Sequence, residues 1–123
     1  MTVGAEFTQQ MVVTQEYTAN ALGSGFLPVF GTPALVAFME GTAAAVLSDL
    51  SEDETSVGTL INIEHLKASK IGETITFTAR ITEIDRKRYV FQVEARDSSG
   101  EIVGKGTHER FVVNVDKFMS KLN

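Results

Sequence analysis

Between Pro33 and Leu50 the chain is apolar on nearly every face of a helical wheel, with Ala34, Leu35, Val36, Ala37, Phe38, Met39, Ala43, Ala44, Ala45, Val46 and Leu47. A helix with almost no polar stripe is expected to be buried. Thr32-Pro33 marks its start. The Thr32 hydroxyl is expected to cap the free backbone N–H groups, and Pro33 suits the first helical position, where no N–H is needed. After the acidic turn Ser51–Glu54 the period drops to two. Val57, Thr59, Ile61, Ile63 and His65 share one parity and Asn62 and Glu64 the other, which predicts a strand with its apolar side inward. A second strand, Thr74–Ile84, alternates Ile75, Phe77, Ala79 and Ile81 against Thr76, Thr78, Arg80 and Thr82. The turn Asp85–Arg88 leads into Tyr89–Arg96, and Asp97–Gly100 reads as a hairpin turn into Glu101–Val115. Upstream, Phe7–Tyr17 mixes β-branched and aromatic residues with polar ones, as an irregular strand would. Asn20–Phe30, with Gly23, Ser24, Gly25 and Pro28, reads as a mobile loop, and Asp116–Leu122 as a short terminal helix.

Strands joined by hairpin-length turns must be antiparallel, because parallel neighbours need a crossover of about a dozen residues or more. The expected architecture is therefore α+β, one long helix against a curved antiparallel sheet. A helix apolar all round has to be wrapped by that sheet or covered further by a second subunit.

Composition narrows the chemistry. The chain has 123 residues, enough for one domain spanning 1–123, and it contains no cysteine and two histidines. Without cysteine there is no thiol nucleophile and no thiolate-held metal, and two histidines leave little for a metal centre, so no metal is expected. Eleven basic against 16 acidic residues give a formal charge of −5, which argues against nucleic acid as a partner. The first twenty residues have neither a basic region nor a continuous apolar run, and the longest apolar stretch is too short to span a bilayer. A cytoplasmic protein without a membrane partner is the expectation.

Glu40 stands alone in the apolar helix between Met39 and Gly41, where an unpaired carboxylate is costly to bury. It reads either as a general base or nucleophile facing a cleft, or as the partner of a structural arginine. His65 ends the inward row of its strand, as a catalytic imidazole or as a satisfied core residue. His108 has the opposite parity to Phe111 and Val113, so it is expected at a rim or in solvent. Besides capping, Thr32 at the positive end of a helix suits a developing oxyanion or a bound carbonyl. Eight positions separate it from Glu40, about 12 Å along the axis, so the two act on different parts of a substrate or meet across a dimer interface. The glycines at 58, 104 and 106 mark bulges or close backbone approaches. Neither a dinucleotide fingerprint nor a GxSxG elbow occurs. Arg86, Lys87, Arg88 and Lys105, with Lys67 and Lys70, form either a solvated face or a holder for a phosphate-bearing ligand.

Three segments taken together, VFGTPALVAFMEGTAAAVL (29–47), SVGTLINIEHLKASKIGETITFTARI (56–81) and GKGTHERFVVNVDKF (104–118), resemble the hotdog-fold thioesterases related to fluoroacetyl-CoA thioesterase. The resemblance implies an acyl-CoA thioesterase acting as a homodimer, with further pairing into tetramers left open. Coenzyme A would be part of the substrate, and no separate cofactor is implied. Thr32, Glu40 and His65 stand at the family's catalytic positions. The implied chemistry has Glu40 activating water or attacking the carbonyl, His65 transferring a proton and Thr32 steadying the oxyanion. Gly58 falls where a backbone N–H helps bind the thioester carbonyl, and Arg110 matches an arginine of the motif. The fluoroacetyl-specific enzyme carries two lid phenylalanines before the helix; this chain keeps Phe26 and has Gly23 or a small neighbour in place of the other. A hydratase reading lacks the required Asp/His pair. The reading from another class is a non-catalytic hotdog module that binds acyl-CoA or a small ligand.

Overall fold

The computed structural model describes residues 1–123. Five strands, β1 (Glu6–Val12), β2 (Glu54–His65), β3 (Thr74–Asp85), β4 (Arg88–Arg96) and β5 (Ile102–Asn114), form one antiparallel sheet in the order β1-β3-β4-β5-β2. Three helices accompany it: α1 (Ala19–Leu22), α2 (Thr32–Val46) and α3 (Val115–Ser120). No helix is long and apolar enough to cross a membrane.

The inward parity of β3 is as the alternation predicts, and β4 adds its own inward row beside it. Ile75, Phe77, Ala79 and Ile81, with Phe91, Val93 and Ala95, are at most 1 % exposed and pack with Leu35, Met39, Ala43 and Val46 of α2. Each large side chain buried in this way contributes about 1.5–3 kcal/mol. The sheet covers only one side of α2, and Pro33, Ala37, Gly41 and Ala45 remain exposed along the other. The helix ends at Val46, short of the expected Leu50: Leu47 leaves helical geometry at φ −84°, ψ 62°, and Asp49 instead takes the N-terminal ammonium at 2.8 Å.

The segment expected as a loop holds the one-turn helix α1. Buried Thr18 caps it by accepting from the Ala21 N–H, and Gly23 stops it at φ 73°, a left-handed conformation that glycine adopts without strain. The strand expected to reach Tyr17 stops at Val12 and passes into a single 3₁₀ turn, Gln15–Tyr17.

β2 departs from the simple alternation. Its pairing with β5 slips between Gly58 and Leu60, so Thr59 is an extra residue opposite no partner. Ile61, Ile63 and His65 pair with His108, Gly106 and Gly104 on the inner face, whereas before the bulge the inward residues are Gly58, opposite Arg110, and Ser56, opposite Val112. Val57 and Thr59 do not share the face of Ile61, because one inserted residue reverses parity. The even-numbered residues of β5 from Gly104 to Val112 therefore face inward: His108 is 1 % exposed and Phe111 43 %. His108 is a core residue and not the rim residue its spacing from Phe111 suggests.

The close-approach reading of the strand glycines holds. A Cβ at Gly104 would stand 2.8 Å from Leu35 Cδ2, and one at Gly106 2.1 Å from the Asn62 carbonyl oxygen.

Candidate active site

The chain assembles the sequence-predicted residues in two groups. The first joins the start of α2 to the end of β2. The Thr32 hydroxyl lies 2.8 Å from His65 Nδ1. Thr32 is the first residue of α2 and does not cap it; Gly31 holds the cap position, with no side chain to bond. The entry to the helix is fixed from behind: the Phe30 N–H donates to Ser69 O at 2.9 Å and the Gly31 N–H to Tyr17 O at 2.9 Å. A Cβ at Gly31 would stand 3.1 Å from the Ala19 backbone and 3.0 Å from Leu22 Cδ1, a close approach that glycine makes without displacing either. Freed from capping, Thr32 points at His65, whose ring meets Phe30 edge-on with centroids 6.3 Å apart. His65 Nε2 is buried and has no protein partner. The pair lines a cleft of about 310 Å³ shared with Phe30, Val29, Ser24 and Lys67. The Lys67 ammonium is held by Asp97 at 2.5 Å and Glu101 at 2.8 Å, so it borders the cleft as a fixed cation.

The second group surrounds Gly58. A methyl group there would stand 3.2 Å from His108 Cε1, 3.4 Å from Arg110 Nη1 and 3.4 Å from Glu40 Oε2. Because Gly58 has no Cβ, that space is open as a groove of about 190 Å³ lined by Glu40, Gly58, Thr59, Leu60, Ile61 and His108. Glu40 is half-buried and forms no salt bridge in the chain. Arg110, 8 % exposed, is fastened by Nε to Ser56 Oγ at 2.8 Å and by Nη2 to Ser56 O at 2.9 Å. Glu40 is thus near a buried arginine without being spent on an ion pair.

Within one chain Glu40 and the Thr32–His65 pair line separate clefts. Phe26 stands apart from both, 98 % exposed at the tip of the segment between α1 and α2. Sequence reasoning missed Ser56 and the inward His108, and had Lys67 only as one of six basic residues. For His108 the GTHER run, which places it two residues before Arg110, offered a signal; for Ser56 there was none. Of the basic residues, Arg86, Lys87 and Arg88 line one cleft at the β3–β4 turn with Asp85 and Phe111, where Arg88 pairs with Glu83 and Glu109; Lys67 pairs with Asp97 and Glu101 beside the Thr32–His65 cleft.

Burial holds both imidazoles below the ordinary histidine range, and at His108 the charge of Arg110 adds to it. A histidine harder to protonate folded than unfolded lets the unfolded chain take up protons first as pH falls. This contribution to stability is present in full above the unfolded value of 6.5 and is lost below it. Thermal unfolding followed in steps from about pH 7.5 to about pH 5.5 is expected to show a level midpoint that then declines below about pH 6.5. A midpoint flat across that range contradicts the buried neutral state of the pair.

A five-stranded antiparallel sheet packed on one long helix is the fold of the hotdog thioesterases. A solved fluoroacetyl-CoA thioesterase superposes with a TM-score of 0.93 at 34% identity, covering 99% of this chain and 95% of that one. A thioesterase-superfamily protein from Thermus thermophilus does so with 0.90 at 27% identity, covering 98% and 90%. The chain is a thioester hydrolase of the hotdog class. It is also 35% identical over 129 residues to the fluoroacetyl-CoA thioesterase of Streptantibioticus cattleyicolor, with 99% of this chain and 92% of that protein covered. The fluoroacetyl-CoA-specific thioesterase family matches residues 13–116, and the chain belongs to that family.

Proposed function

We propose that this acyl-CoA thioesterase hydrolyses short acyl-CoA thioesters in the cytoplasm as a homodimer, with Thr32, Glu40 and His65 as its catalytic residues. The observation that carries the assignment is the Thr32–His65 contact of 2.8 Å beside an open cleft, together with a half-buried carboxylate free of any ion pair. Solved complexes of the related enzyme with fluoroacetate and CoA, and with acetyl-CoA, support a small acyl group. Phe26 is kept, but Gly23 or a small neighbour stands where the fluoroacetyl-specific enzyme has its second lid phenylalanine, which argues against strict selection for a fluorinated acyl group.

Thr32 and Glu40 are about 12 Å apart along α2, so one small thioester reaches both only if two chains share the site. Two exposed features favour a second copy. The outer edge of β2 is unpaired and carries Leu60 and Ile61, and α2 presents Pro33, Ala37, Gly41 and Ala45. A second copy there brings the Thr32–His65 pair of one protomer towards the Glu40–Gly58 groove of the other.

In this arrangement Glu40 takes a proton from water, and the water oxygen attacks the carbonyl carbon. If Glu40 attacks instead, the same carboxylate forms an anhydride that water then opens. With its proton on Nδ1, His65 donates to Thr32 Oγ1, and the Thr32 proton is free to face the developing oxyanion. The Gly58 N–H and Arg110 serve the carbonyl from the other side. Collapse breaks the carbon–sulfur bond. On the direct route the proton that reaches the CoA sulfur is the one Glu40 removed from water, and on the anhydride route it comes from the water that opens the anhydride. In both, neutral His65, whose Nε2 has no partner in the chain, takes up that proton and passes it on.

A panel of acyl-CoAs from acetyl to long chain, with fluoroacetyl-CoA included, tests the reading by release of free thiol. Turnover is expected to peak among the short acyl groups, with fluoroacetyl-CoA favoured over acetyl-CoA by less than about tenfold, the effect of roughly 1.4 kcal/mol. Saturable binding without thiol release across the panel would overturn it in favour of a binding module.

A further inference from the structure

His108 has no part in the reaction proposed above, yet it is one of the most enclosed polar side chains of the molecule, 1 % exposed on the inner face of β5. Its ring lies between the pairing partners Ile61 of β2 and Phe91 of β4, with the Phe91 centroid 6.2 Å away and the planes 30° apart. Both ring nitrogens are engaged. Nδ1 lies 2.7 Å from the Leu60 carbonyl oxygen, which can only accept, so Nδ1 carries the proton. Nε2 lies 3.2 Å from Arg110 Nη1, which can only donate, so Nε2 is bare. The two neighbours thereby select one neutral tautomer.

Each of these bonds ends on an element of the candidate site. Leu60 follows the bulge residue Thr59, so the Nδ1 bond ties down the irregular turn of backbone directly after Gly58. Arg110 is held at Nε and Nη2 by Ser56, which fixes the position of the guanidinium along the strand. The bond from Nη1 to His108 adds the third point and sets its rotation. Nη1 and Glu40 Oε2 each stand 3.4 Å from the place a Gly58 methyl would occupy, so that rotation decides whether cation and carboxylate converge on the same space.

We propose that His108 is a positioning residue for thioester hydrolysis, which clamps the β2 bulge behind Gly58 through Nδ1 and aims Arg110 at the Glu40 groove through Nε2. The inference rests on the assignment of Glu40 and Gly58 to the reacting centre. A charged imidazole could not serve, because a proton on Nε2 would face the guanidinium donor.

The two bonds can be removed one at a time. H108N keeps an amide donor near the Nδ1 position and loses the acceptor for Arg110; H108Q places an amide oxygen near the Nε2 position and loses the donor to Leu60. The expected result for H108N is a fall in kcat for acetyl-CoA of about 10- to 100-fold, with KM changed less than about threefold. H108Q keeps the acceptor for Arg110 but loses the clamp on Leu60, so its kcat is expected to fall by about 3- to 10-fold, between H108N and wild type. Because His108 acts through Arg110, H108N combined with R110Q should be no slower than R110Q alone, whereas independent roles multiply. Two results overturn the proposal: both His108 variants within about twofold of wild type in kcat, or H108N and R110Q effects that multiply in full. Thermal unfolding of each variant separates loss of fold from loss of position, and H108Q carries the test if H108N does not fold. E40Q, assayed alongside, keeps the two readings distinct. If E40Q turns over normally the assignment of Glu40 fails; if E40Q is inactive and the His108 variants are not, only the positioning role fails.

Discussion

Glu40→Gln is expected to lower kcat for acyl-CoA hydrolysis by about 10²–10⁴-fold, the usual contribution of a positioned general base. Glutamine has the volume and shape of glutamate, so the groove beside Gly58 keeps its form while the proton acceptor is lost. The change should leave the fold alone, since Glu40 is half-buried and forms no salt bridge whose removal would strand a buried charge. Arg110 loses only a nearby countercharge and keeps both bonds to Ser56. KM should accordingly stay within a few-fold, because the carboxylate is used in the transition state more than in the bound ground state. Free-thiol release gives kcat and KM, and circular dichroism melting gives stability. Wild-type turnover by E40Q would remove Glu40 from the reaction, and a collapsed melting temperature would make it a structural residue.

Much of this site is legible in the sequence because its residues break the local pattern around them. Glu40 is conspicuous as the one carboxylate in an apolar helix, and the even spacing of β3 predicts an inner face onto which that helix packs. The failures have one physical cause each. Thr32 before Pro33 looks like a cap, but Gly31, packed closely against Ala19, holds that position, and the hydroxyl is left for His65. Thr59 is an inserted residue, and nothing in VGTLINIEH announces it: parity counted across it puts Val57 on the wrong face. On β5 the apolar Phe111 and Val113 pull the inward assignment to the odd positions, whereas the enclosed space goes to His108 and Arg110, whose polar atoms are satisfied by Leu60 and Ser56. A buried polar pair is invisible to a hydrophobic pattern, since what permits its burial is hydrogen bonding. The separation of Thr32 from Glu40 is legible, since eight helical positions hold them about 12 Å apart, but the residues each meets in its own cleft are not.

The same edge of the sheet sets the largest expected effect on stability. At Gly106→Ala the new methyl carbon would fall 2.1 Å from the Asn62 carbonyl oxygen and 2.6 Å from Ile63 Cα. Both atoms belong to the backbone of β2, so no side-chain rotation relieves the overlap, and the strand has to move off β5. β2 is an edge strand whose only partner within the chain is β5, so no neighbour on its other side holds it in register. Overpacking of this kind usually costs about 1–3 kcal/mol, and an overlap with backbone on both counts belongs at or above the top of that range. Against a total of about 5–15 kcal/mol for a typical domain, such a loss is a large fraction. Denaturant unfolding of G106A is expected to show a midpoint well below wild type with a similar slope. Activity should fall beyond what the unfolded fraction explains, because Gly58 and His65 both ride on the displaced strand and must keep their distances to Arg110 and Thr32. A wild-type midpoint would mean that β2 accommodates a side chain at this crossing; a lowered midpoint with full activity in the folded fraction would separate the register of β2 from the geometry of the site.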